Sequence, residues 1–202
     1  MGRENGVGDV VGDVADEPGD VAAYAELSDA LRSLQDAVAA SAPGQDLAAS
    51  VSQALHAAAR ELRTAPVEPG GRWFGRLEIP GRGQTMCPPL RIGELTDAVL
   101  TATVTFSPFH GGFGGGVHGG AIALLMNEVM GALANVTPSI VRLAAYIHVN
   151  YRSGAQVGTE LDARAEVREL TGRKQTIVAS LRIGDRVVAE GEGLFLGPAH
   201  AA

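Results

Sequence analysis

The sequence predicts an α+β fold in which an antiparallel sheet wraps around one central helix, with a helical hairpin extension ahead of it. Three features of the chain predict it. A glycine-packed run, Gly111–Gly120, leads straight into an almost wholly apolar segment, Ala121–Gly131. Segments that alternate apolar and polar residues lie on both sides of that run, and two segments with apolar residues every three to four positions precede everything else.

In chain order, residues 1–20 are rich in Gly, Asp and Val without period and read as a mobile acidic tail. Residues 21–65 read as the helical hairpin. Its first helix carries Tyr24, Leu27, Leu31, Leu34 and Val38, ended by Ser41-Ala42-Pro43-Gly44; its second carries Leu47, Val51, Leu55, Ala58 and Leu62 and opens on Asp46. Two helices bury too little by themselves, so the main domain or another subunit is expected to cover these stripes. Pro66, Pro69, Gly70 and Gly71 form a linker into the main domain, residues 66–198.

That domain reads as β-rich, with strands at Arg72–Leu77, Val99–Phe106, Leu143–Tyr151, Leu161–Glu169, Thr176–Ile183 and Val187–Leu196. Leu170–Lys174 and Ile183–Arg186 have hairpin-turn composition, which makes the last three strands an antiparallel meander. Only Asn127 and Glu128 place polar side chains in the apolar helix. A helix buried on all sides needs a partner, a wet cavity or a chemical task for each of them.

Gly114-Gly-Gly-Val-His-Gly119 formally fits a dinucleotide-binding fingerprint, but that reading requires a parallel sheet with intervening helices, and the downstream chain is a meander. Neither a phosphate-loop lysine nor a serine elbow follows the glycines. Gly112-x-x-Gly115-x-x-His118-Gly119-Gly120, the six apolar residues leading to position 127, and Gly131 do resemble the hotdog-fold thioesterases of the PaaI-like group. Tyr151-Arg152, Gly172-Arg173-Lys174 and Ala189–Phe195 are similar to the closing strands of that family. The resemblance spans roughly residues 75–197 and omits the hairpin.

It implies a hotdog fold, a homodimer or dimer of dimers, and hydrolysis of an acyl-CoA or acyl carrier thioester without cofactor or metal. Gly119 and Gly120 lack Cβ atoms, so a thioester carbonyl can approach the N–H groups of the first helical turn, an oxyanion hole in which the Gly119 N–H is the family's usual donor. An acyl chain is expected to run between two facing helices past Leu124, Leu125 and Val129. The family's acid falls at Asn127, which has no basic lone pair, so the acid-base share of about 10² to 10⁴ in rate is missing. A hydroxyl residue of the family falls near Ala144. The alternative implied by these losses is a non-catalytic acyl-CoA binding or regulatory protein.

The remaining candidates divide between chemistry and structure. Glu128 sits about 100° around the helix from residue 127 and is expected to pair with an arginine across the dimer interface before it serves as a base. His118 is expected to cap the helix and shape the glycine loop. His110 reads as a residue of the pocket mouth or a solvated loop histidine; Tyr146, His148 and Asn150 share one face of their strand. Arg173 and Lys174, with Arg152 as a further candidate, fit a grip on coenzyme A phosphates. Trp73 and Phe74 read as packing residues, and His56 and His200 carry no function.

Composition narrows the classes further. The formal charge of −7 splits as −5 over residues 1–20, −2 over 21–65, and twelve acids against twelve bases from Pro66 onward. The neutral body tolerates a phosphorylated ligand but lacks the basic stripe of a nucleic-acid binder. No stretch approaches the roughly 18 apolar residues of a membrane span, and no signal sequence opens the chain, so cytoplasmic location is expected. Cys87 is the sole cysteine and lies beside Pro88-Pro89, the setting of a packing thiol that excludes an internal disulfide.

Overall fold

In the computed structural model, the described residues are 18–68, 71–73, 77, 79–137 and 140–198. Two helices come first, α1 (Pro18–Ala39) and α2 (Gln45–Leu62). A 3₁₀ turn at Pro80–Gly83 then leads to strands β1 (Arg91–Leu95) and β2 (Val99–Thr105). Two further 3₁₀ turns, Pro108–His110 and Phe113–Gly115, bring the chain to α3 (Gly119–Ala134). Strands β3 (Leu143–Tyr151), β4 (Glu160–Thr171), β5 (Lys174–Ile183) and β6 (Arg186–Leu196) follow. The expected acidic tail falls almost wholly, and Phe74 and His200 fall entirely, outside the described residues.

The six strands form one antiparallel sheet in the order β1-β2-β4-β5-β6-β3, and α3 packs on one face of it. Alternation explains the pairing. Leu100, Ala102 and Val104 of β2, Leu161, Ala163 and Ala165 of β4, and Ile177, Ala179 and Leu181 of β5 turn inward, while the intervening polar residues turn out. The helix supplies large side chains, Leu125, Met126, Val129, Met130 and Leu133, against the small alanines of the central strands. Gly193 extends this economy: a Cβ there would lie 2.9 Å from the Phe195 ring and 3.2 Å from Met130 Sδ, so only glycine admits the helix at this distance. The β4–β5 and β5–β6 turns are closed by Gly172 and Gly184 with φ of 58° and 53°, the left-handed region that favours glycine.

Two strand expectations need correction. Arg72 and Trp73 are not in a strand; Trp73 packs edge-on against Tyr24 at 5.3 Å between ring centres. The strand that lies at the sheet edge instead is β1, whose five residues are all exposed and include Gly93, so it carries none of the alternation that marks a half-buried strand.

The N-terminal helices also depart from expectation. α1 meets the domain through Tyr24, Ser28, Arg32, Gln35 and Asp36 rather than through its leucine stripe. Arg32 donates to the carbonyl oxygens of Gln84 and Pro80, Gln35 to Thr85, and Asp36 accepts the Phe109 N–H at 3.0 Å. α2 has no buried residue, and the two helices do not pack along their lengths. The main domain therefore leaves their apolar stripes uncovered.

Candidate active site

The glycine run is held in place by the backbone before any side chain acts. Val117 N–H donates to Ala155 O at 2.8 Å and His118 N–H to His110 O at 2.9 Å, with bridges at Gly111–Val117 and Gly116–Gln156. Gly112 is glycine for a local reason: a Cβ there would come within 3.0 Å of the His118 Cα, so its role is close packing of the loop on the helix start.

His118 is the N-cap of α3, with extended backbone angles, and its Nδ1 accepts the Gly120 N–H at 3.0 Å. Acceptance requires that Nδ1 carry no proton. The cap consumes Gly120, which the sequence reading had offered to a ligand, and leaves the Gly119 N–H without a partner among the described residues. The Gly119 carbonyl accepts from Tyr151 Oη at 2.8 Å, which ties the helix start to the end of β3. Gly119 itself is half-buried, and its N–H sits at the positive end of the helix.

Along α3, Ile122, Leu125, Met126, Val129, Met130 and Leu133 are buried against the sheet, whereas Leu124, Asn127, Glu128 and Gly131 are half-buried. Leu125 and Val129, expected beside an acyl chain, belong to the core; Leu124 alone of the three keeps an open side. Asn127 lies two turns after Gly120 and so returns to the same helix face, and its amide makes no hydrogen bond among the described residues. Glu128 points elsewhere. It pairs with Arg82 Nη1 at 3.7 Å within the chain, toward the Pro80–Pro89 segment, where its charge and above all burial push the Cys87 thiol up to about 12. Cys87 is thus a protonated packing thiol, 1% exposed.

Of the two expectations for His110, the solvated loop histidine needs correction, while the residue does line a small cleft between α1 and the Pro108–His110 turn. It is buried, not solvated; its Nδ1 lies 3.0 Å from Ser107 Oγ, and its carbonyl carries the His118 N–H. Burial lowers its pKa from the ordinary value of 6.5, with the Arg32 guanidinium acting the same way and Asp36 opposing. Ser-x-x-His after a strand was the available signal, since a serine at position 107 can reach back across one 3₁₀ turn.

Arg152 extends from the same end of the sheet as Tyr151 and pairs with Glu190 at 3.0 Å. Arg173 and Lys174 lie at the opposite end. Lys174 is in register with Leu196 and Leu196 with Leu143, next to the C-terminus of α3, where Arg142 donates to Ala134 O. One chain therefore separates them from Gly119 by the length of α3, about 24 Å. Tyr146, His148 and Asn150 face away from α3, toward Glu190 and Glu192 of β6. Among the described residues no three His, Cys, Asp or Glu side chains gather to hold a metal ion. The larger clefts of the single chain, about 350 and 540 Å³, are open depressions on the outer sheet face lined by residues such as Arg164, Ser180 and Arg182. They have no free donor at a helix end.

A six-stranded antiparallel sheet around one helix, with the free N–H after a His-Gly-Gly opening, defines a class. Residues 114–190 match the model of the thioesterase superfamily, and the domain has the hotdog fold. Among solved structures, the thioesterase superfamily protein RHA08564 is similar at 24% identity and a TM-score of 0.73, covering 86% of this chain and 94% of its own. That share exceeds the sheet domain, so the likeness includes part of the N-terminal helical region. A hypothetical thioesterase protein from Streptococcus pneumoniae TIGR4, solved with coenzyme A, is 13% identical with a TM-score of 0.51, over 56% of this chain and 91% of that one. A phenylacetic acid degradation-related protein from Ralstonia eutropha JMP134 is 17% identical with a TM-score of 0.50, over 53% and 83%. No curated protein sequence matches this chain. Among the described residues no helix is long and apolar enough to cross a membrane.

Proposed function

We propose that this chain is a cytoplasmic acyl-CoA thioesterase of the PaaI-like group that hydrolyses an acyl-CoA thioester to a free acid and coenzyme A. The observation that carries the proposal is the unpartnered Gly119 N–H at the start of an apolar helix, on a face that continues through Leu124 to Asn127. Water adds to the thioester carbonyl and gives up a proton to a second water, the developing oxyanion is met by that N–H and the helix dipole, and the C–S bond breaks as the carbonyl re-forms and coenzyme A leaves as thiolate. Asn127 orients the water by hydrogen bonding and does not take its proton. Glu128, committed to Arg82, stays out of the reaction.

A homodimer completes the site in this proposal. β3 is an edge strand whose residues are mostly exposed. If two copies pair along β3 in antiparallel fashion, the β3 start of one copy lies beside the β3 end of the other. Arg142, Arg173 and Lys174 of a second copy then come to the end that holds Gly119, Tyr151 and Arg152. That juxtaposition supports a phosphate grip in trans, as does the relative solved with coenzyme A.

The lack of a carboxylate at position 127 favours one rival, an acyl-CoA binding protein with little turnover. Turnover of a panel of acyl-CoA thioesters by the wild type, followed by thiol release, distinguishes them, and Asn127→Asp is expected to raise that turnover about 10²- to 10⁴-fold. If calorimetry with the same thioesters detects no binding to either form, both readings fail. If both forms bind and neither hydrolyses, the binding protein stands.

A further inference from the structure

α1 turns its polar side to the domain and its apolar side to solvent. Leu27, Leu31 and Val38 are 42%, 44% and 58% exposed, with the half-buried Leu34 between them. On α2, Leu47, Val51, Leu55 and Leu62 are 59%, 36%, 41% and 57% exposed. The likeness to RHA08564 takes in more than the sheet domain and so includes part of this helical region.

The two stripes match each other. Leu27, Leu31, Leu34 and Val38 follow a four-three-four spacing, and so do Val51, Leu55, Ala58 and Leu62. Both are the seam spacing of helices that pack nearly side by side, and both run about 16 Å. Antiparallel pairing sets Leu27 against Leu62, Leu31 against Ala58, Leu34 against Leu55 and Val38 against Val51. Charge selects the same direction: Asp20, Glu26 and Asp29 lie in the first half of α1, while His56, Arg60 and the C-cap Arg63 lie at the end of α2. Parallel pairing would leave these groups apart.

Within one folded chain this seam is not made, since Ala40–Gly44 carries α2 away from α1 and the helices do not pack along their lengths. We infer that α2 of one copy lies antiparallel on α1 of a second copy, and reciprocally, so that two N-terminal hairpins form a four-helix bundle about a two-fold axis. In this register residues 27–39 of α1 face residues 50–62 of α2, about 20 Å of helix about 10 Å wide, which gives on the order of 400 Å² per protomer over the two seams. The total of about 800 Å² is the size of a weak interface, one that adds to pairing elsewhere on the chain. This surface lies on elements other than the β3 edge and the open face of α3, and the inference stands independently of the proposed hydrolysis.

The test uses full-length chains that carry one new cysteine each, Leu31→Cys or Ala58→Cys, co-expressed with different affinity tags; the buried Cys87 stays out of the reaction. After mild oxidation, a disulfide-linked pair holding one chain of each type is expected at several-fold higher yield than links between like chains. A chain carrying both substitutions that closes an internal disulfide in dilute solution would show that each hairpin folds on itself, and would overturn the inference. So would the absence of any mixed link from chains that are folded by circular dichroism. As an independent measure, Leu31→Glu with Leu55→Glu is expected to halve the assembly mass by sedimentation while leaving the fold of the sheet domain intact. An unchanged mass would count against the bundle.

Discussion

α3 and α2 have similar lengths, 16 and 18 residues, yet they solve opposite problems. α3 has seven buried residues and reads apolar nearly all round; α2 has none buried and separates its leucines onto one stripe. α3 is enclosed because the sheet meets one side of it while the glycine loop and the Pro80–Pro89 segment lie along others. α2 is amphipathic because it is built to be half covered, and its own domain does not cover it. The functional atoms follow the same contrast. In the proposed reaction the N–H on α3 acts where apolar surroundings and a fixed cap keep it oriented, whereas an N–H at the start of α2, whose N-cap Gly44 offers no side-chain hydrogen bond, would simply be hydrated.

The sharpest way to break the comparison is a matched pair of truncations. Leu125→Ala should lower the unfolding free energy by about 2–5 kcal/mol at any protein concentration, because Leu125 is fully buried beneath the sheet. Leu55→Ala should cost less, and its cost in denaturant titrations should grow with protein concentration, as expected of a residue buried only in an assembly. Equal and concentration-independent effects would erase the distinction. Next in size, His118→Ala removes the cap on Gly120 and should cost about 1 kcal/mol. The same change releases a second N–H at the helix start, so stability and ligand affinity are to be measured together.

The smallest expected effect is a pH dependence from His110, which joins α1 to the loop that precedes α3. Its pKa in the folded chain is below the ordinary 6.5, so the unfolded chain binds more protons between the two values and stability rises with pH there. The contribution is fully present above about pH 6.5 and is lost as pH falls, with a slope of at most about 1.4 kcal/mol per pH unit. Urea midpoints at pH 5 and pH 7 should differ more for the wild type than for His110→Gln. An identical difference in both would remove His110 as the cause.

Much of this was legible in the chain. The glycine run opening an apolar helix marked α3 and its cap, because N-caps and glycine loops act over a few residues. Strands β2 to β6 showed their period or their turns. β1 did not, since an exposed edge strand with a glycine inside has no buried face to write into the sequence. The stripes of α1 and α2 were visible, but not that α1 would turn its polar side inward.

By itself, then, the sequence determined the elements whose signals are local: a capped apolar helix, a meander closed by Gly172 and Gly184, two amphipathic helices, and an amide on the apolar helix at position 127. Tertiary structure decided which groups meet. It gave Glu128 to Arg82 and His110 to Ser107, spent the Gly120 N–H on His118, and set Arg173 and Lys174 a helix length away from Gly119. The reason is physical. Helical and strand periods repeat over 3.6 and two residues and say which side of an element is apolar, whereas partners tens of residues apart are chosen by how whole faces pack.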